Sequence, residues 1–195
     1  MTAEPTSPPA AAAETGLCRC EAGATLYRAG ASGRAWRVEK GSLRLDRVLD
    51  DGERVFASLA VAGDVIGAET LLLGTHTFEA VALAECELTP WPEGLGRPAG
   101  ESLLQTLTAV ERRAADVIAL RGGQAMERVT RLIQLLARRD DKATQVVLPP
   151  RRDIADITAL TIETVSRTIT ALKRSGFLVP VKRGDTPALN RFICP

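Results

Sequence analysis

The apolar residues of RRDIADITALTIETVSRTITALKRSGF, Arg151 to Phe177, change phase halfway along, and that change limits what the segment can build. Ile154, Ile157 and Leu160 recur at helical spacing in the first part, and Val165, Ile169 and Leu172 do so in the second. The stretch therefore predicts two short amphipathic helices joined by a tight turn. Asp153 is expected to begin the first helix. Thr161 stands where an N-cap belongs for the second, with Glu163 and Thr164 in its first turn, Lys173 and Arg174 in its last, and Gly176 ending it.

With one face of the second helix buried, Thr161, Ile162, Glu163, Ser166, Arg167 and Thr170 point outward. An Arg matches the acceptors of guanine, a Glu the amino group of cytosine, and hydroxyls the phosphates, so this face suits a DNA major groove. The segment thus reads as a helix-turn-helix with its recognition helix over residues 161–175. An ordinary solvated helical hairpin would show exposed charge as well. The charge distribution separates the two: Gln124 to Pro195 holds 13 Lys and Arg against 7 Asp and Glu, whereas residues 1–123 hold 12 against 17. A chain of net charge +1 is two segments of opposite sign, and the basic one carries the hairpin.

At 195 residues, 45% hydrophobic and 25% charged, the chain can bury one large or two modest cores. No apolar run approaches the roughly 20 residues of a membrane span, and the first residues lack the basic start and apolar core of a signal peptide. The expectation is a cytoplasmic protein with no membrane association. Its cysteines, Cys18, Cys20, Cys86 and Cys194, are scattered and do not outline a disulfide framework.

Residues 1–16, rich in Pro, Ala and Thr, read as a disordered tail. From Leu17 to Trp91 short β-type runs, at 24–27, 35–38, 42–48, 54–60, 65–66, 77–83 and 87–91, alternate with Gly and Asp turns, which argues for an antiparallel barrel or jelly roll. A breaker run follows, Pro92, Gly94, Gly96, Pro98 and Gly100. Then Leu103, Leu107, Val110, Ala114 and Val117 alternate four and three residues apart, a heptad seam narrow enough to suit a second copy of itself. Leu104 and Ile118 widen the stripe, so packing on the chain's own roll is the competing use. Gly122 and Gly123 predict a hinge before a second amphipathic helix marked by Met126, Val129, Ile133 and Leu136. After the hairpin, residues 178–181, the turn Lys182-Arg183-Gly184-Asp185, and residues 192–193 predict a wing made irregular by Pro187. The domains expected are a tail over 1–16, a roll over 17–98, a helix and hinge over 99–123, and a winged helix-turn-helix over 124–195.

Three local motifs give this order of parts a relative. GSLRL (Gly41 to Leu45) followed by DDGER, AGDVIGAETLL (Ala62 to Leu72), and RRDIAD with LTIETVSRT together resemble the Crp/Fnr superfamily of transcriptional regulators, over essentially the whole chain from Leu17. The resemblance implies an α+β architecture: an N-terminal antiparallel β-roll of the cyclic-nucleotide-binding jelly-roll type, a long dimerisation helix, and a C-terminal winged helix-turn-helix. It is nearest the Fnr/FixK branch, whose motif arranges Glu, Ser and Arg as Glu163, Ser166 and Arg167 are arranged here. Ile162 stands where the cyclic-AMP receptor branch has a further Arg. The half-site implied is TTGA(T/C), not TGTGA, in a palindrome read by a homodimer. Base reading then falls to Ile162, Glu163, Ser166 and Arg167, and phosphate contacts to Arg151, Arg152, Thr161, Thr164, Thr170 and Lys173. Activation through RNA polymerase also rests on the resemblance.

The sensor is less legible. Members of the superfamily that bind cyclic nucleotides place Gly-Glu and Arg-Ser/Thr where this chain has Gly67-Ala68 and His76-Thr77, and a His that is mostly neutral at pH 7 lacks the fixed charge and fork a cyclic phosphate needs. Regulation independent of cAMP is expected, with Gly67, Glu69, His76 and Thr77 as the candidate pocket for an unknown effector. An iron-sulfur cluster needs four well-spaced ligands, and Cys18, Cys20 and Cys86 supply three in poor spacing. No cofactor or metal is therefore expected. The alternative is a sensor whose DNA binding depends on haem at His76, on a thiol, or on a small effector. An enzyme of the cupin kind would need several histidines, and the chain has one. A nucleotide-binding module that never touches DNA is disfavoured by the basic C-terminal segment.

Overall fold

The computed structural model describes residues 16–92, 100–140, 143–183 and 186–194. The expected tail, except Gly16, lies outside them, as do Gly94, Gly96 and Pro98 of the breaker run and the Gly184-Asp185 apex of the wing turn. The chain divides into two compact units between Val110 and Glu111.

The first unit is built from β1 (Cys18–Cys20), β2 (Thr25–Tyr27), β3 (Ala35–Lys40), β4 (Ser42–Val48), β5 (Arg54–Val61), β6 (Val65–Ile66), α1 (Thr70–Leu73), β7 (Glu79–Ala82) and β8 (Cys86–Trp91). They form two four-stranded antiparallel sheets, ordered β1-β8-β3-β6 and β2-β7-β4-β5. Alternation along the strands explains the layering. Leu43, Ala80 and Ala82 join Cys20, Tyr27, Val38, Ala60, Ile66, Cys86 and Leu88 in the core, with Leu45 packed against it. The other face of β4 turns out buried too, and it is ionic. Arg44 holds Asp46 through three hydrogen bonds of 2.7–3.0 Å, and its guanidinium lies 5.9 Å from the centre of the Phe56 ring.

Helix α1 is an element the sequence reading did not anticipate. The Thr70 amide and hydroxyl both donate to the Gly67 carbonyl, at 3.0 and 2.7 Å, which starts a turn that Gly74 ends in the left-handed conformation. Leu71, Leu72 and Leu73 are left exposed on it.

Helix α2 (Gly100–Ala119) carries the heptad seam and spans the division between units. Leu103, Leu107 and Val110 are each more than half exposed, as are Leu104 and Ile118; Ala114 is exposed and Val117 half-buried. The half-buried residues instead follow a small and polar line, Ser102, Thr106, Ala109, Arg113 and Asp116.

In the second unit α3 (Ala125–Leu136) opens with a capping box between Gln124 and Glu127. Val129, Leu132, Ile133 and Leu136 are buried. Met126 was expected among them but is 40% exposed, because the buried stripe starts one turn later and includes Leu132. Helix α4 (Arg151–Thr158) begins directly after Pro149-Pro150, so Asp153 is its third residue and not its start. Proline suits this boundary because it has no N–H to leave unsatisfied. Helix α5 (Ile162–Arg174) follows after Ala159, Leu160 and Thr161. Ile154, Ile157, Val165, Ile169 and Leu172 are buried as expected, while Leu160 is only partly so. Beside the helices, β9 (Arg138–Asp140), β10 (Ala143–Val147), β11 (Val179–Arg183) and β12 (Thr186–Cys194) make a sheet ordered β11-β12-β10-β9. Pro187 does not interrupt β12; it pairs opposite Lys182 past an irregularity between Pro180 and Lys182.

The ion pair on β4 gives a stability test. Asp46 is 2% exposed, so Asp46→Ala removes the carboxylate that accepts three of the hydrogen bonds of a largely buried guanidinium and should destabilise the protein by about 1.5–3 kcal/mol in urea unfolding. A loss below about 1 kcal/mol would show the pair to be screened as surface pairs are.

Candidate nucleic-acid interface

The exposed half of α5 is set by its cap. The Thr161 hydroxyl accepts from the Thr164 amide at 3.2 Å and lies 3.0 Å from the Thr164 hydroxyl, which fixes the first turn and satisfies one of its open N–H groups. The Glu163 carboxyl is held below the usual carboxylate range by its own backbone amide, then by the Thr161 hydroxyl, with the Arg167 guanidinium adding to this. It is therefore an acceptor at neutral pH. Ile162, at 47% exposure, offers apolar surface at the helix start. One turn further on, Ser166, Arg167, Thr170, Ala171 and Arg174 share one open face of the helix. The Thr170 hydroxyl donates to the Ser166 carbonyl at 2.9 Å, so it reaches a phosphate as a donor only by turning away from that bond.

Arg151 and Arg152 are exposed in the first turn of α4. Lys173 is exposed on α5 with its ammonium 4.7 Å from the centre of the Phe192 ring, a cation–π contact that holds its long stem. Arg151 and Lys173 line a second cavity, of about 110 Å³, with Leu148, Pro149, Pro150, Ile169, Asn190 and Phe192. The sequence reading missed Arg174, Asn190 and Phe192. Arg174 was legible by its spacing three and four residues from Ala171 and Thr170; Asn190 and Phe192 reach the helices only through the pairing of β12.

In the roll, Gly67, Glu69, His76 and Thr77 do come together. His76 is 3% exposed, and its imidazole stacks on Tyr27 with ring centres 3.6 Å apart and 6° between the planes. Two glycines form the walls: a Cβ on Gly33 would lie 2.3 Å from His76 Nε2, and one on Gly67 2.9 Å from Cε1. Gly67 has φ +71°, so only glycine serves there without strain. The imidazole is packed among the residues named for the candidate effector pocket, with its Nε2 toward Gly33. Nδ1 has no hydrogen-bond partner among the described residues and stands 4.0 Å from a Glu69 carboxylate oxygen. The Glu69 carboxylate accepts instead from the Thr77 amide at 3.1 Å. Burial lowers the His76 pKa and Glu69 partly offsets this, so the ring is neutral at pH 7.

Cys18 and Cys20 lie on β1, and Cys20 faces Cys86 across the β1–β8 pairing. Burial pushes the Cys20 thiol up and the Cys86 thiol to about 12, and burial likewise raises Cys18 and Cys194. Burial thus disfavours the thiolate, the reactive form, most clearly at the buried Cys20 and Cys86. Cys194 lies on β12, in the other unit.

A family model described as a cyclic nucleotide-binding domain matches residues 17–94, and one described as a Crp-like helix-turn-helix domain matches residues 127–191. The chain is 32% identical over 147 residues to the nitrogen fixation regulation protein FixK of Rhizobium meliloti, covering 74% of this chain and 69% of that protein. It is 33% identical over 162 residues to FixK of Bradyrhizobium diazoefficiens, covering 76% and 68%. Among solved structures, FixK2 from Bradyrhizobium japonicum superimposes with a TM-score of 0.65 at 25% identity, over 91% of both chains.

His76 is the sole histidine, so one titration can be assigned without ambiguity. Its folded pKa lies below the unfolded value of 6.5, so the unfolded chain binds the proton first. Stability contributed by the neutral ring is complete above that value and falls as the pH drops through 6.5 toward the folded pKa. Urea unfolding across pH 7.5 to 5.5 should show this decline, and His76→Gln should remove it; an unchanged slope in the variant would assign the decline to other groups.

Proposed function

Because this chain belongs to the Crp/Fnr family of transcriptional regulators, on its Fnr/FixK side, we propose that its α5 reads a palindromic TTGA(T/C)-type operator, with two copies of the chain bound across it. The observation that carries this is the two-sided character of α5: Val165, Ile169 and Leu172 are buried, while Ile162, Glu163 and Arg167 are exposed. Arg167 donates two hydrogen bonds to a guanine, Glu163 accepts from a cytosine amino group, Ser166 contacts a base or phosphate, and Ile162 meets a thymine methyl. Arg151, Arg152, Thr161, Thr164, Thr170 and Lys173 orient the protein on the phosphates.

Residues 17–98 act as the sensor roll, 99–123 as dimerisation helix and hinge, and 124–195 as the DNA-binding domain. Leu103, Leu107, Val110, Ala114 and Val117 form the dimer seam. Its support is that Leu103, Leu107 and Val110 stay more than half exposed in the single chain, an apolar strip that a second α2 would cover. The roll works without cAMP, since the neutral His76 ring fills the place where a phosphate would need a cation. Thiol control is disfavoured at Cys20 and Cys86 by their burial in the core of the roll. The relatives are transcription regulators and not enzymes, which supports reading this chain as an activator that works through RNA polymerase in the cytoplasm. Among the described residues no helix is long and apolar enough to cross a membrane.

A titration of the ligand-free protein against a TTGAT-N4-ATCAA duplex, with a TGTGA palindrome and scrambled DNA as controls, tests the proposal. Selective binding to the first duplex is expected, and equal binding to all three would overturn the half-site assignment. Arg167→Ala should cost about 1–3 kcal/mol and relax selectivity at the guanine, whereas Lys173→Ala should weaken all duplexes alike and lower the salt slope by about 1.

A further inference from the structure

The segment around Gly122-Gly123 reads as a hinge in the sequence, yet in the structure it is held by three arginines that nothing in the recognition motif accounts for. Arg131 Nη1 donates to the Ala119 carbonyl at 2.9 Å and to the Gly122 carbonyl at 3.0 Å, covering the C-terminal end of α2. Arg128 Nε donates to the Gly123 carbonyl at 2.9 Å, while its Nη1 reaches the Thr158 and Ala159 carbonyls at 3.2 and 3.5 Å, at the end of α4. Arg121 adds longer contacts, 3.4 Å each, to the Ile157 and Asp156 carbonyls. These acceptors are carbonyls of the last turns of α2 and α4 and of the segments that follow them, where partial negative charge favours a cation.

Ala159 makes this end unusual. It is a non-glycine residue in the left-handed conformation, φ 52° and ψ 49°, at the turn that sets where α5 begins. On the other side of the hinge, Gly123 has φ +83°, and a Cβ there would lie 2.3 Å from the Glu127 carboxylate of the α3 capping box. Glu127 in turn pairs with Arg131 at 3.7 Å. The end of α2, the start of α3 and the α4–α5 turn are thereby tied into one set of bonds, all within the second unit.

We propose that Arg128 and Arg131, assisted by Arg121, are positioning residues for operator recognition: they clamp the hinge so that α5 is presented at one fixed orientation to the end of α2. The inference rests on the two-copy reading of a palindrome. In such a dimer each α2 sets the frame, and the clamp decides the separation and angle at which the two recognition helices meet the DNA. One base pair added between half-sites moves them by about 3.4 Å and turns them by about 35°, so a rigid clamp makes affinity depend sharply on spacer length.

The test uses full-length Arg128→Gln/Arg131→Gln and wild type against TTGAT and ATCAA half-sites separated by two to six base pairs, and against a single half-site. Wild type should prefer one spacer by about tenfold or more over its neighbours, and the double variant should flatten that preference to within about threefold while keeping the wild-type affinity for the single half-site. Arg128→Lys, which keeps the charge but not the fork, should fall between them. A double variant that keeps the wild-type spacer profile overturns the inference, and so does a parallel loss of half-site affinity, which would make the arginines mere supports of the helical fold. Failure of wild type to select any TTGAT duplex would instead count against the operator assignment itself.

Discussion

The capacity of the second unit to meet DNA depends on the apolar contact between α3 and the α4–α5 hairpin. Helices of 8 and 13 residues are marginal alone in water, since nucleation is costly and few bonds repay it. Their burial against Val129, Leu132, Ile133 and Leu136 supplies what the isolated helices lack, at about 1.5–3 kcal/mol for each large side chain removed from water. Once that face is fixed, the rotation of α5 about its axis is fixed too. Glu163 and Arg167, one turn apart, have no choice but to project outward, and their exposure is a consequence of the core beneath them.

The roll follows a different logic. Its two sheets enclose an apolar core, and His76, one of the residues expected to face an effector, is stacked on Tyr27 and bounded by Gly33 and Gly67. A neutral aromatic ring satisfies by packing a position that a guanidinium would satisfy only with an anion. The exposed seam of α2 and the exposed leucines of α1 stand in contrast: they are apolar surface that the single chain leaves uncovered.

Much of this was legible in the order of residues. The phase change between Leu160 and Val165, the capping threonine and the glycine after Arg174 located the hairpin and its exposed residues, and turn residues at short intervals located nearly every strand of the roll. Arg138–Asp140 and Ala143–Val147 were not recognised as strands, because they lack alternation and are held by pairing to β12, far away in sequence. Helix α1 was hidden for a related reason: four residues carry no period, and it exists through local bonds to Gly67.

What the sequence by itself determined is therefore what depends on near neighbours: helix phase, caps, turns and the sign of charge along the chain. Only the tertiary structure decided that Arg128 spans the hinge to the Thr158 carbonyl, that Lys173 lies over Phe192, and that His76 closes the roll between two glycines. The physical reason is one of distance along the chain. Periodicity reports which side of an element is buried, but a guanidinium meeting a carbonyl 30 residues away, or a ring meeting a glycine 43 residues earlier, is specified by the fold that brings them together and leaves no local pattern behind.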